Sequence, residues 1–185
     1  MFWEDQRLAR RISKGDDRAF SELMDKYGST IQHIAFRYTN TIQDRDDLTQ
    51  EVFIAVYRSI NNFKGRSSLK TWLYRIALNV CLRYAEKSAA STTLSVDDSV
   101  IDIPGGILPE IELNKSITSD AVKSAISSLN PIHKAVVILH EMEGLTFAEC
   151  SEVLDIPVGT VKSRLSNAFK HLRVALKDHE NICNE

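Results

Sequence analysis

Residues 88 to 113 read SAASTTLSVDDSVIDIPGGILPEIEL, and no helical stripe runs through them. Small polar residues come first, then Asp97, Asp98 and Asp102, then Pro104, Gly105, Gly106 and Pro109. Such a stretch cannot offer one continuous apolar face to a core, so it is expected to behave as a linker. On both sides of it, apolar residues recur at steps of three and four. The chain is therefore expected to be all-α, with two small helical domains joined by a flexible linker over 89–115. The first domain is placed at 1–88 and the second at 116–180. A length of 185 residues leaves room for two such bodies and little more.

In the first body, Phe20, Leu23, Met24, Tyr27, Ile31, Ile34 and Tyr38 mark one apolar stripe. The helix that carries it is expected to begin at Asp16 or Asp17, after Gly15, where acids favour the positive helix end. A shorter helix over roughly 4–13 precedes it. Leu48, Val52, Phe53, Val56, Tyr57 and Ile60 make the next stripe, after the polar stretch TNTIQDRDD at 39–47. Asn61 and Asn62 close it. Ser67 or Ser68 can cap a third helix whose buried side holds Leu69, Trp72, Leu73, Ile76, Ala77 and Val80. Trp72 is expected in the core by this spacing, with Tyr74 and Tyr84 more exposed than Trp72.

The second body contains a more specific pattern. Asn130-Pro131 is a helix start, with Asn as cap and Pro in the first turn. Thr146 and Glu149 have capping-box spacing before a short helix that ends near Leu154. Ile156-Pro157-Val158-Gly159 then makes a tight turn into a long helix. A short helix, a turn and a second helix form a helix-turn-helix. Val161, Leu165, Ala168 and Leu172 share the buried face of the second helix. Thr160, Lys162, Ser163, Arg164 and Asn167 fall near or off that stripe, in the turns that a recognition helix places in the major groove. Arg164 has the fork to read a guanine edge, Lys162 suits a phosphate, and Thr160 and Ser163 donate to phosphates or bases. Basic residues are also common on solvated helices, and a helix pair can serve protein contact alone. The net charge of -2 decides nothing here, because local clusters govern binding to a polyanion.

Several classes find little support. Cys81, Cys150 and Cys183 form no CxxC pair and no disulfide framework, and Cys81 and Cys150 sit beside apolar helical faces. His33, His133, His140, His171 and His179 form no HExxH pattern. His171, His179 and Cys183 have helical spacing, but a frayed terminus is the simpler reading and no metal is expected. With no Walker loop and no dinucleotide fingerprint, no cofactor is expected and the chain is not expected to be an enzyme. No signal peptide or run of eighteen apolar residues is visible, so a cytoplasmic protein without membrane insertion is expected.

GLTFAECSEVLDIPVGTVKSRLSNAFKHLR at 144–173 resembles region 4.2 of the sigma-70 family, in its extracytoplasmic-function (group IV) branch. DLTQEVFIAVYRSI at 47–60 resembles region 2.2, and FKGRSSLKTWLYRIALNVCLRY at 63–84 resembles regions 2.3 and 2.4. The resemblance covers nearly the whole chain in the expected order. It implies a factor that binds core RNA polymerase, directs it to specific promoters and assists promoter opening.

What it implies for residues is specific. Region 2.2 docks on the clamp helices of the β′ subunit, pointing to Asp47, Gln50, Glu51 and Phe53, although the stripe position of Phe53 also suits its own core. Region 2 holds a flipped base of the -10 element, pointing to Asn61, Asn62, Lys64 and Arg66, with Gly65 allowing a tight path. Lys70, Arg75, Asn79 and Arg83 follow as strand contacts. Region 4 reads the -35 element through Thr160, Lys162, Ser163, Arg164 and Asn167. Where relatives continue with Arg-Ala-Arg, this sequence has Asn167-Ala168-Phe169, removing two phosphate contacts. Phe169 is expected to pack on its own module or on the polymerase β flap. Cys81-Leu82-Arg83-Tyr84 departs from the acid common in region 2.4. The linker resembles a segment threading toward the polymerase active site, where Asp97, Asp98 and Asp102 would mimic nucleic-acid charge; a solvated tether is the other reading. An anti-sigma protein, membrane-bound in many relatives, is a further implied partner.

Overall fold

The computed structural model describes residues 2–92 and 119–183, with side chains from 3 to 90 and from 121 to 177. The acidic cluster Asp97, Asp98 and Asp102 and the side chains of His179 and Cys183 lie outside the described residues. Within them the chain is helical: α1 (Phe2–Ile12), α2 (Asp17–Phe36), α3 (Ile42–Ser59), α4 (Leu69–Thr92), α5 (Ser119–Ser127), α6 (Pro131–Val137), α7 (Phe147–Leu154) and α8 (Val158–Cys183). A 3-10 turn, Ile60–Asn62, follows α3, and a π turn, Ile138–Met142, extends α6. No described helix is long and apolar enough to cross a membrane.

Capping chemistry sets most of these boundaries. Asp16 accepts from the Ala19 amide at 3.1 Å and starts α2. Arg11 bonds that carboxyl at 2.8 Å and holds it below the usual carboxylate range. Thr41 accepts from the Asp44 amide at 3.0 Å, so α3 begins inside the polar stretch 39–47. The part of that stretch within α3, 42–47, has no stripe because it is the largely solvated start of the helix. Ser68 caps α4 through the Thr71 amide at 3.0 Å. A second cap comes from far away in sequence: buried Asp5 of α1 accepts from the Leu69 amide at 3.0 Å. That bond satisfies an orphan donor of α4 and compensates a buried carboxylate.

Leu23, Ile31 and Ile34 of α2, Leu48, Val52 and Val56 of α3, and Leu69, Leu73 and Val80 of α4 are all nearly inaccessible. Burying each such side chain is worth about 1.5–3 kcal/mol. Two members of the expected stripes are not part of this interior. Met24 is 41% exposed and Tyr57 45% exposed. The stripes of α2 and α3 are wider than the face that the bundle covers, so their flanks remain in water.

The second group of helices packs against the first. Tyr74, expected to be more exposed than Trp72, is only 2% exposed, because α4 is covered by α6 and α7 as well as by α2 and α3. Its hydroxyl donates to Glu143 Oε2 at 2.7 Å. Trp72 is half-buried against the Phe63 ring, with centroids 5.5 Å apart. Tyr38 Oη donates to the Pro131 carbonyl at 3.3 Å, and Arg75 donates to the Glu152 carbonyl. Lys134 of α6 is only 7% exposed. Its ammonium donates to the carbonyls of Arg37 at 3.1 Å and Ser127 at 3.0 Å, which lie at the C-terminal ends of α2 and α5. Helix C-termini present unpaired carbonyls and favour cations. The Tyr38 ring adds a third contact at 5.4 Å.

Two tests follow from this packing. Replacing Tyr74 with Phe keeps the ring and removes one charge-assisted bond between the helix groups. Urea denaturation is expected to show a loss of about 1.5–3 kcal/mol; an unchanged midpoint would contradict the contact. Burial also pushes the Cys81 thiol up to about 12 and Cys150 up to about 11. The folded state therefore holds these protons more tightly than the unfolded chain. That contribution is intact below the ordinary thiol value of 9.0 and fades as pH rises from there through the folded values. At pH near 8, a thiol reagent followed by mass spectrometry is expected to leave both unlabelled until the chain unfolds. Rapid native labelling of either would contradict their placement.

Candidate nucleic-acid interface

The helix-turn-helix is built by two local devices. Thr146 and Glu149 form the reciprocal capping box: the Glu149 amide donates to Thr146 Oγ1 at 3.2 Å, and the Thr146 amide donates to Glu149 Oε2 at 2.8 Å. These bonds hold the Glu149 carboxyl below its ordinary range. At the other end of α7, Asp155 adopts φ 55, and its amide closes on Ser151. Asp tolerates this left-handed turn better than most residues with a Cβ. The chain then reverses through Pro157, whose carbonyl accepts from Thr160 at 2.9 Å and Val161 at 3.1 Å.

In α8, Val161, Leu165, Ala168 and Leu172 are buried, as the spacing predicts. Lys162, Ser163 and Asn167 are exposed, and Thr160 and Arg164 are half-buried. Among the described residues, neither Lys162 nor Arg164 has a carboxylate within ion-pair distance. Lys162 leans over the Phe147 ring of α7 at 5.4 Å, and Ser163 Oγ donates to the Thr160 carbonyl at 3.0 Å. The face is thus cationic and unpaired, at the start of a helix that projects from a packed base. Phe169 is half-buried against its own module's core.

The first group of helices offers a second polar surface. Asn61, Asn62, Lys64 and Arg66 are all exposed around the turn that leads to α4. Gly65 adopts φ +65, where a side chain would be strained. Along α4, Arg75, Asn79 and Arg83 follow at four-residue steps and share one exposed face near Trp72. Lys70 does not join them. It lies over the Tyr74 ring at 5.4 Å, beside α7, where its charge also acts on Glu149. The structure therefore divides the strand-contact candidates of α4 between two faces, and ties Arg75 to α7 through the Glu152 carbonyl.

A third surface lies on α3. Asp47, Gln50 and Glu51 are exposed on one side of the helix. Phe53 is 7% exposed and meets Phe20 edge-on at 6.3 Å. It forms the floor of a cavity of about 540 Å³ between α2 and α3, which Met24, Gln50 and Ile54 also line. Met24 and Ile54 are 41% and 43% exposed; Met24 belongs to the expected α2 stripe, whereas Ile54 lies off the expected α3 stripe. The width of the α2 stripe is the sequence signal for Met24. An apolar patch rimmed by polar residues suits a protein partner.

Comparison with known proteins places these surfaces in a family. Residues 23–90 match Sigma-70 region 2, and residues 119–172 match Sigma-70, region 4. The ECF RNA polymerase sigma-E factor of Haemophilus influenzae is 35% identical over 172 residues, covering 89% of this chain and 90% of that protein. Among solved structures, CnrH in complex with the cytosolic domain of CnrY matches with a TM-score of 0.66 at 23% identity, over 94% of this chain and 97% of that chain. The sigma factor RpoE in complex with the anti-sigma factor NepR from Bartonella quintana matches with a TM-score of 0.63 at 22% identity, over 85% and 96%. The two solved structures share the fold. With both regions present in order and the sigma-E relative aligned over most of both proteins, the chain belongs to the sigma-70 family, in its extracytoplasmic-function (ECF) group.

Proposed function

We propose that this chain is a promoter-specificity factor: it binds core RNA polymerase, directs it to specific promoters and assists their opening. The observation that carries the reading is the pairing of two polar, cation-bearing surfaces on separate helix groups, matched in order by regions 2 and 4. In this reading 1–88 is the region 2 domain, 89–115 the linker and 116–180 the region 4 domain. The chain makes no covalent bond itself; the polymerase does. It works in the cytoplasm, where that polymerase is.

The residues take roles that their chemistry supports. Asp47, Gln50 and Glu51 meet the β′ clamp helices, with Phe53 supporting the apolar groove beside them. Asn61, Asn62, Lys64 and Arg66 hold the opened non-template strand, and Arg75, Asn79 and Arg83 continue its path. Thr160, Lys162, Ser163, Arg164 and Asn167 face the -35 duplex. In the free chain Arg75 is engaged by the Glu152 carbonyl. Reading DNA with Arg75 and Lys70 therefore requires α7 to leave α4, and core polymerase supplies the spacing that separates the modules. An anti-sigma protein is a further partner in this reading, by analogy with the RpoE–NepR complex that shares the fold. The acidic linker is read as a tether or as a mimic of nucleic-acid charge within the polymerase.

Two variants test the -35 surface in reconstituted holoenzyme. Lys162→Ala is expected to weaken promoter binding on all sequences alike and to lower the salt slope by about one. Arg164→Lys is expected to relax preference at one -35 base pair, at a cost of about 1–3 kcal/mol. Binding titrations over a salt series, on templates differing at single positions, read both effects. An unchanged slope together with unchanged base preference would remove α8 from the -35 contact. Equal promoter use by core polymerase alone would remove the function.

A further inference from the structure

The region 2 match begins at residue 23 and leaves α1 outside it. In the structure α1 is fixed to the strand-holding turn at two points. Asp5 caps α4 at the Leu69 amide, directly after that turn. Gln6 lies against the turn itself, since a Cβ added to Gly65 would clash with the Gln6 side-chain amide. Buried Leu8 and Ile12 hold the helix to the bundle. The face of α1 that looks toward the turn is therefore set in register with Asn61 and Lys64.

Between them is a depression of about 290 Å³. That is near the small end of ligand sites, about 300 Å³, and suits one ring system better than a longer ligand. Buried Ala9 and Ile60 and half-buried Phe63 give it apolar surface. Gln6, Arg10, Asn61 and Lys64 give it polar groups. Among the described residues, none of these four side chains makes a hydrogen bond or ion pair within the protein. Two amides, each with a donor and an acceptor, match the edge of a nucleobase. Two unpaired cations match its flanking phosphates.

We propose that α1 forms one wall of the pocket that holds a base extruded from the -10 non-template strand, and that Gln6 helps to select which base is held. This rests on the promoter reading above. Arg10 contacts the backbone at the same site, and Asp5 acts as a positioning residue that keeps α1 against α4. Extrusion costs a few kcal/mol of stacking, so a wall that closes on the base from the α1 side repays it on both edges.

The test uses the full chain with core polymerase and a promoter pool randomised over the -10 element. Initiation is counted for the natural chain, Gln6→Glu and Arg10→Gln. Glu keeps the shape of Gln but only accepts, so Gln6→Glu is expected to shift preference at a single -10 position. The shift should run toward a base that presents an amine there and be roughly tenfold. Preferences elsewhere, including the -35 element, should stay as they were. Arg10→Gln is expected to lower initiation evenly across the pool and flatten its salt dependence. Core binding and thermal melting of both variants, measured alongside, should match the natural chain, as expected for changes at partly solvated positions. If the natural chain initiates selectively and Gln6→Glu leaves every position unchanged, or lowers all templates equally, the α1 proposal is overturned and the promoter reading stands. If the natural chain shows no selectivity at all, both fall.

Discussion

Lys134 carries a charge to a place where an isolated charge would be costly. Its ammonium is buried, yet it donates to carbonyls at the ends of two helices, α2 and α5, and lies over the Tyr38 ring. Burial lowers its pKa, the direction expected when desolvation opposes the charged form. The two helix ends and the ring offset that penalty. Because one carbonyl belongs to the first helix group and one to the second, this cation joins the two halves. Tyr74–Glu143 and Tyr38–Pro131 lie on the same seam.

The seam combines buried apolar side chains with hydrogen bonds between the helix groups. Its hydrogen bonds can exchange for bonds to water once a partner draws the modules apart. An interface made only of Leu and Ile would resist more, in proportion to its apolar area. The same helix, α4, supplies the seam on one side and the exposed polar residues Arg75, Asn79 and Arg83 on another. Occupation of the first therefore bears on access to the second, most directly through Arg75, which reaches the Glu152 carbonyl.

Much of this was legible in sequence where the cause is local. The capping box at Thr146 and Glu149, the Asn130-Pro131 start and the buried set Val161, Leu165, Ala168 and Leu172 all follow from one turn of helix and its period. The polar set at the start of α8, of which Lys162, Ser163 and Asn167 are exposed, follows with them. What sequence left open was decided by distant partners. Tyr74 has ordinary spacing for a flank residue and is buried because α6 and α7 arrive from far along the chain. Lys134 is buried for the same reason. Met24 and Tyr57 read as core and are exposed, since no described element covers the edge of α2 and α3. Asp5 gives no hint in sequence that its carboxylate caps a helix beginning at Leu69.

The account requires that the modules be together in the free chain and apart when the factor works. Cys81 and Cys150 are buried, so a chain with Cys183 replaced can carry two added labels, one on the exposed face of α3 and one on the exposed face of α8. The decisive measurement is the distance between those labels, first in the free chain and then in holoenzyme on promoter DNA. The account predicts one short distance in the free chain and a longer one in a holoenzyme that initiates RNA. A distance that stays the same while RNA synthesis begins would contradict it.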